Sequence, residues 1–228
     1  MKASSEKGGA LIYILIAVAL LAALTTTFIQ PGGQSARTQN AFKLATQLNS
    51  QSRVIRSGIQ DCILRYPQGD SDISDDDYYS PYPLNPTSTA FTTSDMTDQV
   101  SLLRCPGTSA AAGVDDHILI FGGSGEFSNY LSPAPKPLGE WTYFNDGKDT
   151  PVAVDGNNMD GVYYETRAAV VDPSIGEAMT KIDGLMSACE VDHIVGNADG
   201  TNGCAEDTQC LRFWIIRGSG TTATDGCP

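Results

Sequence analysis

Residues 10–29 read ALIYILIAVALLAALTTTFI, a run of 20 residues without a charged side chain. As an α-helix this run is about 30 Å long, which matches the hydrocarbon core of a bilayer. Lys2 and Lys7 precede it, and basic residues before a membrane span favour a cytoplasmic N-terminus. The run therefore predicts one membrane-spanning helix, with the remainder of the chain exported.

A cleaved secretory signal and a plain signal anchor are the alternative interpretations of this run. A secretory signal ends in small residues of the A-x-A type, whereas this run ends in Leu24-Thr25-Thr26-Thr27-Phe28-Ile29. The ending favours a segment that stays on the protein, and it leaves the signal anchor open.

The residues in front of the run indicate a particular kind of segment. They form a short polar, basic leader, MKASSEKGG, whose last residue is Gly9. This leader, the apolar run and the helical sequence beyond it together resemble the N-terminus of type IV pilins and type II secretion pseudopilins. The resemblance implies that a prepilin peptidase cuts between Gly9 and Ala10 and that the apolar segment remains. Pro31 then becomes the twenty-second residue, where many family members have a helix-kinking proline, while Gly8 is the other possible cleavage point.

The chain departs from the family at one position. Members usually carry Glu as the fifth mature residue, where it pairs with the N-terminal amine of the neighbouring subunit. Here that position is Ile14, or Tyr13 after a cut at Gly8. The amine of Ala10 therefore has no such partner in an apolar filament core. Tip-type minor pseudopilins also lack this Glu, so the resemblance implies a minor, tip-like or atypical subunit.

Residues 31–66 predict an amphipathic stem helix. Pro31-Gly32-Gly33 should interrupt the apolar helix, since Pro lacks an N–H and Gly is a poor helix former. Helical spacing then resumes, and it ends near Tyr66 because the residue before Pro67 avoids the helical region. The apolar stripe comprises Ala41, Leu44, Ala45, Leu48, Ile55, Ile59, Cys62 and Ile63. The opposite face carries Arg37, Lys43, Arg53 and Arg56; it is either solvated or, in a filament, packed against the acidic head of another subunit.

Residues 67–228 predict a globular head. Its first part, residues 67–116, is rich in Pro, Ser, Thr and Asp and indicates a long loop. Strand-like runs follow at His117–Phe121, Glu140–Phe144, Val162–Val171 and Leu211–Arg217. Asp172-Pro173 is typical of a helix start. That helix should present one apolar face made of Ile175, Ala178, Met179, Ile182, Leu185 and Met186.

These elements predict an α+β fold of the pilin type. A long N-terminal transmembrane and stem helix should pack on a small, mostly antiparallel sheet of four strands, together with a second short helix. The chain then divides into a leader (1–9), a transmembrane assembly helix (10–30), the stem helix (31–66) and a disulfide-stapled acidic head (67–228).

Six cysteines follow the apolar run, on the side that we expect to be exported. An even number in an oxidising compartment predicts disulfides, and the absence of a C-x₂-C pair argues against the alternative of a zinc site. Sequence alone leaves the pairing open. We expect Cys62–Cys105 to close the long loop and Cys189–Cys210 to join the end of the second helix to the return strand. Cys204–Cys227 is the pair that remains.

One acidic segment is a candidate calcium site. Calcium prefers hard oxygen ligands from carboxylates, amides and backbone carbonyls, and pseudopilins resemble this chain in having such loops near the C-terminus. The candidate ligands are Asn197, Asp199, Asn202, Glu206 and Asp207. Residues 70–77 and 155–160 are weaker clusters, and solvated turns are the alternative for all three. No cluster matches the EF-hand pattern. Calcium is the one cofactor for which the sequence offers a candidate site, and solvated turns remain the alternative.

Charge and composition exclude other functions. The chain has a net charge of −13, and residues 66–228 alone hold 25 acidic and 7 basic side chains. Such a surface lacks the basic face that nucleic acid requires. The two histidines, His117 and His193, are predicted to be structural, at a strand start and in a polar loop. No nucleophile is paired with a base, so we expect no enzymatic activity.

The sequence as a whole predicts a non-enzymatic pilin-like subunit, minor rather than major, of a bacterial type II secretion or type IV pilus-like filament. It would lie in the inner membrane as a single-pass protein, with its head in the periplasm. Its partners would be other pilin or pseudopilin subunits, the prepilin peptidase and an exported substrate. A solitary signal-anchored periplasmic binding or adhesin domain that does not polymerise is the alternative.

Overall fold

The computed structural model describes most of two N-terminal helices and the framework of a head. The described residues are 7–29, 32–69, 79, 81–83, 98–106, 118–122, 129–146, 153–154, 157–158, 161–187, 189–196 and 204–217. The helices are α1 (Lys7–Ile29), α2 (Gly32–Arg65) and α3 (Pro173–Asp183), with a short 3₁₀ turn at Val100–Leu102. The strands are β1 (Asp98–Gln99), β2 (Thr142–Asp146), β3 (Ala153–Val154), β4 (Asn157–Asn158), β5 (Gly161–Ala168), β6 (Val191–Val195) and β7 (Gln209–Arg217).

The main sheet has five strands in the order β1-β2-β5-β7-β6, and all neighbours are antiparallel. Strands β3 and β4 form a separate antiparallel pair. In the central register Phe144 lies opposite Tyr163, and Tyr164 lies opposite Phe213. The predicted α+β class with a mostly antiparallel sheet is therefore confirmed.

Two strand predictions need correction. The run predicted as a strand from residue 117 to Phe121 makes only isolated bridges, Leu119 with Arg104 and Phe121 with Asn129. Position 117 itself lies outside the described residues. The strand that completes the sheet is β6, VDHIV, which we expected to be a polar loop. Its two polar side chains are consistent with an edge strand, since such a strand has a neighbour on one side only.

Strand β5 is shorter than predicted. It ends at Ala168, and Val170 and Val171 beyond it are 57% and 51% exposed. The chain leaves the sheet there because Asp172 already caps the next helix. Asp172 Oδ1 accepts from the backbone N–H of Ser174 at 2.7 Å and of Ile175 at 3.4 Å.

The predicted apolar stripe of α2 is confirmed as the side that packs on the head. Leu48, Ile55, Ile59 and Cys62 are fully buried, as is Ala41 near the start of the stripe. The helix ends at Arg65, as the proline at position 67 predicts. Gly32 and Gly33 are helical rather than part of an interruption, and residue 31 lies outside the described residues.

Buried polar side chains fix α2 to the sheet and to the segment before β2. The Ser52 hydroxyl lies 2.8 Å from the Tyr164 hydroxyl, which also donates to the Ser52 carbonyl. Gln51 accepts from Trp141 Nε1 at 2.8 Å and donates to the carbonyl of Pro133 at 2.8 Å. Burial raises the pKa of Tyr164 to about 12, so its hydroxyl remains a donor at neutral pH.

Helix α3 packs against α2 and buries Ile175, Ala178, Met179 and Ile182, as predicted. The predicted face does not continue to Leu185 within the helix. The helix ends at Asp183 with Gly184 as its C-cap, so Leu185 falls in a turn and is 73% exposed.

The face of the sheet that carries Tyr163, opposite the face that carries Tyr164, holds a buried ion pair beside stacked aromatic rings. Arg212 Nη2 lies 2.9 Å from Glu165 Oε2, and both side chains are at most 2% exposed. The Arg212 guanidinium lies 4.6 Å from the centre of the Tyr163 ring, which stacks on Phe144 at 4.4 Å. This cluster gives the sheet a second packed side, because both of its faces carry buried side chains.

Candidate functional site

Helix α1 presents an apolar surface on all of its sides. Residues 12–16 are Ile, Tyr, Ile, Leu and Ile, and their side chains are between 50% and 75% exposed. Consecutive helical residues are about 100° apart, so five in a row encircle the helix. Further along α1, the apolar side chains are also exposed: Val18, Leu20, Leu21 and Leu24. A helix that is apolar all round requires an apolar environment, and among the described elements of the chain none supplies one.

The residues predicted for leader cleavage lie at the start of α1. Gly9 and Ala10 are both within the helix, and Ile14 follows one turn later with its side chain 62% exposed. The sequence of α1 contains no acidic residue, and Lys7 is its one charged residue. A free amine at Ala10 therefore has no carboxylate within its own helix.

Among the described residues, no helix is long and apolar enough to cross a membrane. The side chains of α1 are described only from Ile12 to Thr25.

The first turns of α2 extend beyond the core of the head. Residues 36–40 are exposed, and Ala41 is the first buried position. Phe42 is 67% exposed although it adjoins that position. The described side chains of α1, at positions 12–25, and those at positions 36–40 of α2 are therefore all exposed, ahead of the first buried position of α2.

The basic face predicted for α2 divides in two. Arg37, Lys43 and Arg53 are exposed. Arg56 instead faces the head: its Nη2 donates to the Trp214 carbonyl at 3.1 Å, and its Nη1 lies 3.4 Å from Glu190 Oε1. The Ser187 backbone N–H and hydroxyl donate to Glu190, and together with Arg56 they lower the pKa of its carboxyl.

An open groove of about 400 Å³ lies where α2 enters the head. Its walls come from α2, from the segment around Pro137 and from the first turn of α3. The sequence did not predict this groove, because its lining residues lie as far apart as Asn40 and Ile175 and share no motif.

The disulfides confirm one predicted pair and overturn the other two. Cys62 is bonded to Cys105 across 43 positions, with their Cα atoms 5.6 Å apart. Cys204 is bonded to Cys210, so Cys189–Cys210 and Cys204–Cys227 are wrong. Cys189 is also disulfide-bonded, and position 227 lies outside the described residues. None of the cysteines that the structure describes is a free thiol.

A tight turn explains the unexpected Cys204–Cys210 pair. Asp207 adopts the left-handed conformation with φ of 57°, and the Thr208 N–H donates to the Ala205 carbonyl at 3.2 Å. This turn brings the chain back within six positions, so that the two Cα atoms lie 6.0 Å apart. A short loop of this kind has no periodic signal from which the pairing could be read.

The proposed calcium ligands are only partly within the described residues. Positions 197, 199 and 202 lie outside them, whereas Glu206 and Asp207 are exposed on the turn. Among the residues that the structure describes, no group of three or more acidic, His or Cys side chains could hold a metal ion. The weaker clusters at 70–77 and 155–160 lie outside the description except for Asn157 and Asn158 in β4.

His193 lies in strand β6 and not in a loop. Its Nδ1 is 3.2 Å from the Thr180 hydroxyl of α3. Burial lowers the pKa of its imidazole, and the nearby Asp183 carboxylate partly opposes this. A neutral histidine that bridges α3 and β6 is consistent with the predicted structural role.

Comparison of the chain with protein-family models, with curated proteins and with solved structures finds no match in any of the three.

Proposed function

We propose that this chain is a pilin-like subunit, of the minor or tip type, in a bacterial type II secretion or type IV pilus-like filament. The observation that carries the proposal is α1, which exposes apolar side chains on every side and precedes a separately packed head. In sequence its uncharged run extends over residues 10–29 behind a basic leader. A subunit held first in a membrane and then in a filament core requires such a helix.

The proposed assembly step transfers this apolar surface from lipid to other helices. Residues 10–29 hold the subunit in the inner membrane with its head in the periplasm. In the filament the same side chains pack against the corresponding helices of neighbouring subunits, where close packing and interhelical contacts replace contacts with lipid. The chain itself carries out no reaction in this scheme, because its contribution is binding.

Ile14 supports a position at the tip. A subunit within a filament receives the amine of a neighbour, and a buried amine is stable only when it is paired. Ile14 offers no carboxylate, so this chain suits the end of a filament, where it donates its own amine to a neighbour's acid. The acidic head then meets partner subunits or exported substrate.

The alternative is a solitary signal-anchored periplasmic domain, and Ile14 is compatible with it as well. Removal of the leader separates the two proposals, since a signal anchor has no reason to be cut after glycine. Coexpression with a prepilin peptidase should convert the chain to a shorter form. Gly9→Val should abolish this conversion, whereas the matched Gly8→Val variant should still be processed.

Two results would count against the proposal. One is a chain that remains intact in the presence of an active peptidase that processes a control pilin. The other is shortening that neither glycine variant blocks, which would mean that the cut does not follow a glycine of the leader. Processing that Gly8→Val blocks and Gly9→Val does not would instead move the cleavage to Gly8 and place Tyr13 at the fifth position.

A further inference from the structure

Three exposed cations lie together at the end of the head that α2 enters. Lys43 of α2 and Lys136 of the segment before β2 line the groove on opposite elements, and both are exposed. The Ser174 hydroxyl and backbone N–H lower the pKa of the Asp172 carboxyl most, and the positive charge of Arg37 lowers it further. Asp172 also lines the groove, so Arg37, which is exposed as well, belongs to the same region.

Exposed apolar side chains adjoin these cations. Val170 and Val171 directly precede Asp172, and they are 57% and 51% exposed. Consecutive Cα atoms are 3.8 Å apart, so neither valine Cα is more than about 8 Å from that of Asp172. The resulting surface is both cationic and apolar, and we call it the basal surface: Arg37, Lys43, Lys136, Val170 and Val171.

The basal surface keeps its positive charge in the described part of the molecule. None of its three cations forms an ion pair with a described residue. Asp172 is the one acid that lines the groove, and its Oδ1 accepts from the Ser174 hydroxyl and backbone N–H as it caps α3. The charge of this surface is therefore opposite to that of residues 66–228 as a whole, which hold 25 acidic and 7 basic side chains.

The chain connects the basal surface to α1 by a short path. Two positions separate α1 from α2, and Arg37 is eight residues beyond Ile29, the last residue of α1. Eight residues rise about 12 Å in a helix and span at most about 29 Å when extended. Whatever the angle between the two helices, Arg37 cannot be farther than this from the end of the apolar run.

We propose that the basal surface rests on the membrane that holds α1, with the phosphates of anionic phospholipids at Arg37, Lys43 and Lys136. Val170 and Val171 then contact the boundary between headgroups and acyl chains. This proposal rests on the proposed function, because it takes α1 to lie in a membrane.

Charge and apolar contact both favour this orientation. Apolar side chains beside lysine and arginine are typical of surfaces that bind a membrane interface. Anionic phospholipids attract basic residues that lie next to a membrane-spanning segment. The same lipids repel the acidic remainder of the head. Resting on the basal surface therefore brings opposite charges together and keeps the acidic surface away from the lipid.

The test uses the full chain in nanodiscs that contain phospholipids brominated in the acyl chain, which quench nearby tryptophan. Val170→Trp is the reporter, and Val171→Trp is a second one. The matched control is Leu64→Trp, because Leu64 is 80% exposed on the same helix as Lys43 but about 30 Å farther along it. The native Trp141 and Trp214 are at most 4% exposed, and the unaltered protein supplies their background signal.

Quenching of the two reporters should be about twofold or more stronger when the nanodiscs contain phosphatidylglycerol than when they contain phosphatidylcholine alone. Added salt should reduce the difference. The combined change Arg37→Gln, Lys43→Gln and Lys136→Gln should lower quenching to the level in phosphatidylcholine. Arg53→Gln, which removes an exposed charge of α2 ten residues beyond Lys43, should leave quenching unchanged.

Several outcomes would overturn the proposal. They are reporters that remain unquenched in a chain that co-purifies with the nanodiscs, equal quenching of Leu64→Trp, equal quenching in the two lipids, and insensitivity to the combined change. Unquenched reporters together with lysine-dependent binding of poly-glutamate would assign the basal surface to an acidic polypeptide.

The proposal and the proposed function can fail separately. A chain that does not co-purify with the nanodiscs would overturn both the contact and the membrane anchor on which it depends. Unquenched reporters in an inserted chain would overturn the contact alone. Cleavage after Gly9 is measured independently of either result.

Discussion

At Gly58 helix α2 approaches the rest of the head closely. A Cβ atom at this position would lie 2.8 Å from Phe121 Cζ and 3.0 Å from Ile120 Cγ2. Both neighbours are buried, with at most 2% of their surface exposed. The glycine therefore sets how near this helix can approach Phe121, which itself sits outside the regular strands.

Gly58→Ala should destabilise the head. The alanine raises helix propensity by up to about 1 kcal/mol, but overpacking a filled core typically costs about 1–3 kcal/mol. We expect a net loss of about 1 kcal/mol in the free energy of unfolding, measured by urea denaturation in detergent. Ser57→Ala is the matched control on the exposed side, where a change within about 0.5 kcal/mol is expected. A gain in stability for Gly58→Ala would show that Phe121 moves aside at no cost.

The buried Glu165–Arg212 pair gives a second prediction at this scale. Glu165 accepts from Arg212 through Oε2 and from Arg167 through Oε1. Arg212→Met should lower the unfolding free energy by about 3 kcal/mol or more, because Glu165 then stays buried with Arg167 alone. Adding Glu165→Gln should recover part of that loss, since a buried carboxylate with only one remaining cationic partner is removed. A double variant less stable than Arg212→Met would contradict this account of the pair.

At the scale of the elements, the two described disulfides close loops of very different length. Cys62–Cys105 spans 43 positions and joins the end of α2 to the segment that follows β1, whereas Cys204–Cys210 spans 6. In the chain-entropy description a longer closed loop stabilises more. The two bridges should therefore differ in what their removal costs.

Cys62→Ser with Cys105→Ser should lower the unfolding free energy by about 4 kcal/mol, and Cys204→Ser with Cys210→Ser by about 2 kcal/mol. Denaturation of the two double variants, read by circular dichroism, measures the difference. An equal loss in both, or a larger loss for the short loop, would show that strain or local packing outweighs loop entropy here.

A helix with a long amphipathic repeat or a clear N-cap could be predicted from the sequence. The stripe from Ala41 to Cys62 predicts the packed side of α2, and Asp172-Pro173 predicts the start of α3. Strand β6 was missed because its two polar side chains, Asp192 and His193, interrupt the apolar pattern typical of a strand. The reverse error, the strand expected to end at Phe121, arose because an apolar run can be buried without joining a sheet.

The candidate sites were harder to predict than the fold. The groove brings together Lys43, Lys136 and Asp172, and no local pattern relates positions so far apart. The Cys204–Cys210 pair depends in the same way on local backbone geometry, since it closes a turn in which Asp207 has a positive φ. The roles proposed for positions 10 and 14 are different, because they depend on distance along one helix and can be counted in the sequence.

At the scale of the whole molecule, the charges are arranged along its length. Residues 35–65 carry five basic side chains and one acidic one, whereas the head beyond them carries the large acidic excess. This polarity suits stacked subunits in which the basic stem of one lies near the acidic head of the next. It also makes association sensitive to salt.

The missing carboxylate at Ile14 should prevent long homopolymers. Each internal copy would have to bury the unpaired amine of a neighbour, which costs several kcal/mol. The isolated protein should therefore show no long filaments by electron microscopy, and in cells it should co-purify in small amounts with pilins that carry the Glu. Ile14→Glu should allow recruitment to internal positions. Ile16→Glu is the matched control. It should not allow recruitment, because its carboxylate lies two residues beyond position 14.

Long filaments formed by the unaltered protein alone would contradict the tip assignment without affecting the pilin-like helix. Some other group would then have to pair with the amine, and no acid follows residue 6 before Asp61 in the sequence.

The N-terminus of the protein isolated from membranes tests the central claim most directly. Intact-mass measurement with N-terminal fragmentation should find a chain that begins at Ala10, with or without a methyl group on its amine. That result requires a peptidase that cuts after Gly9 and leaves the apolar helix in place. A chain that still begins at Met1, or one that begins after Thr25 and has lost the helix, would contradict the assignment of this protein as a pilin-like subunit.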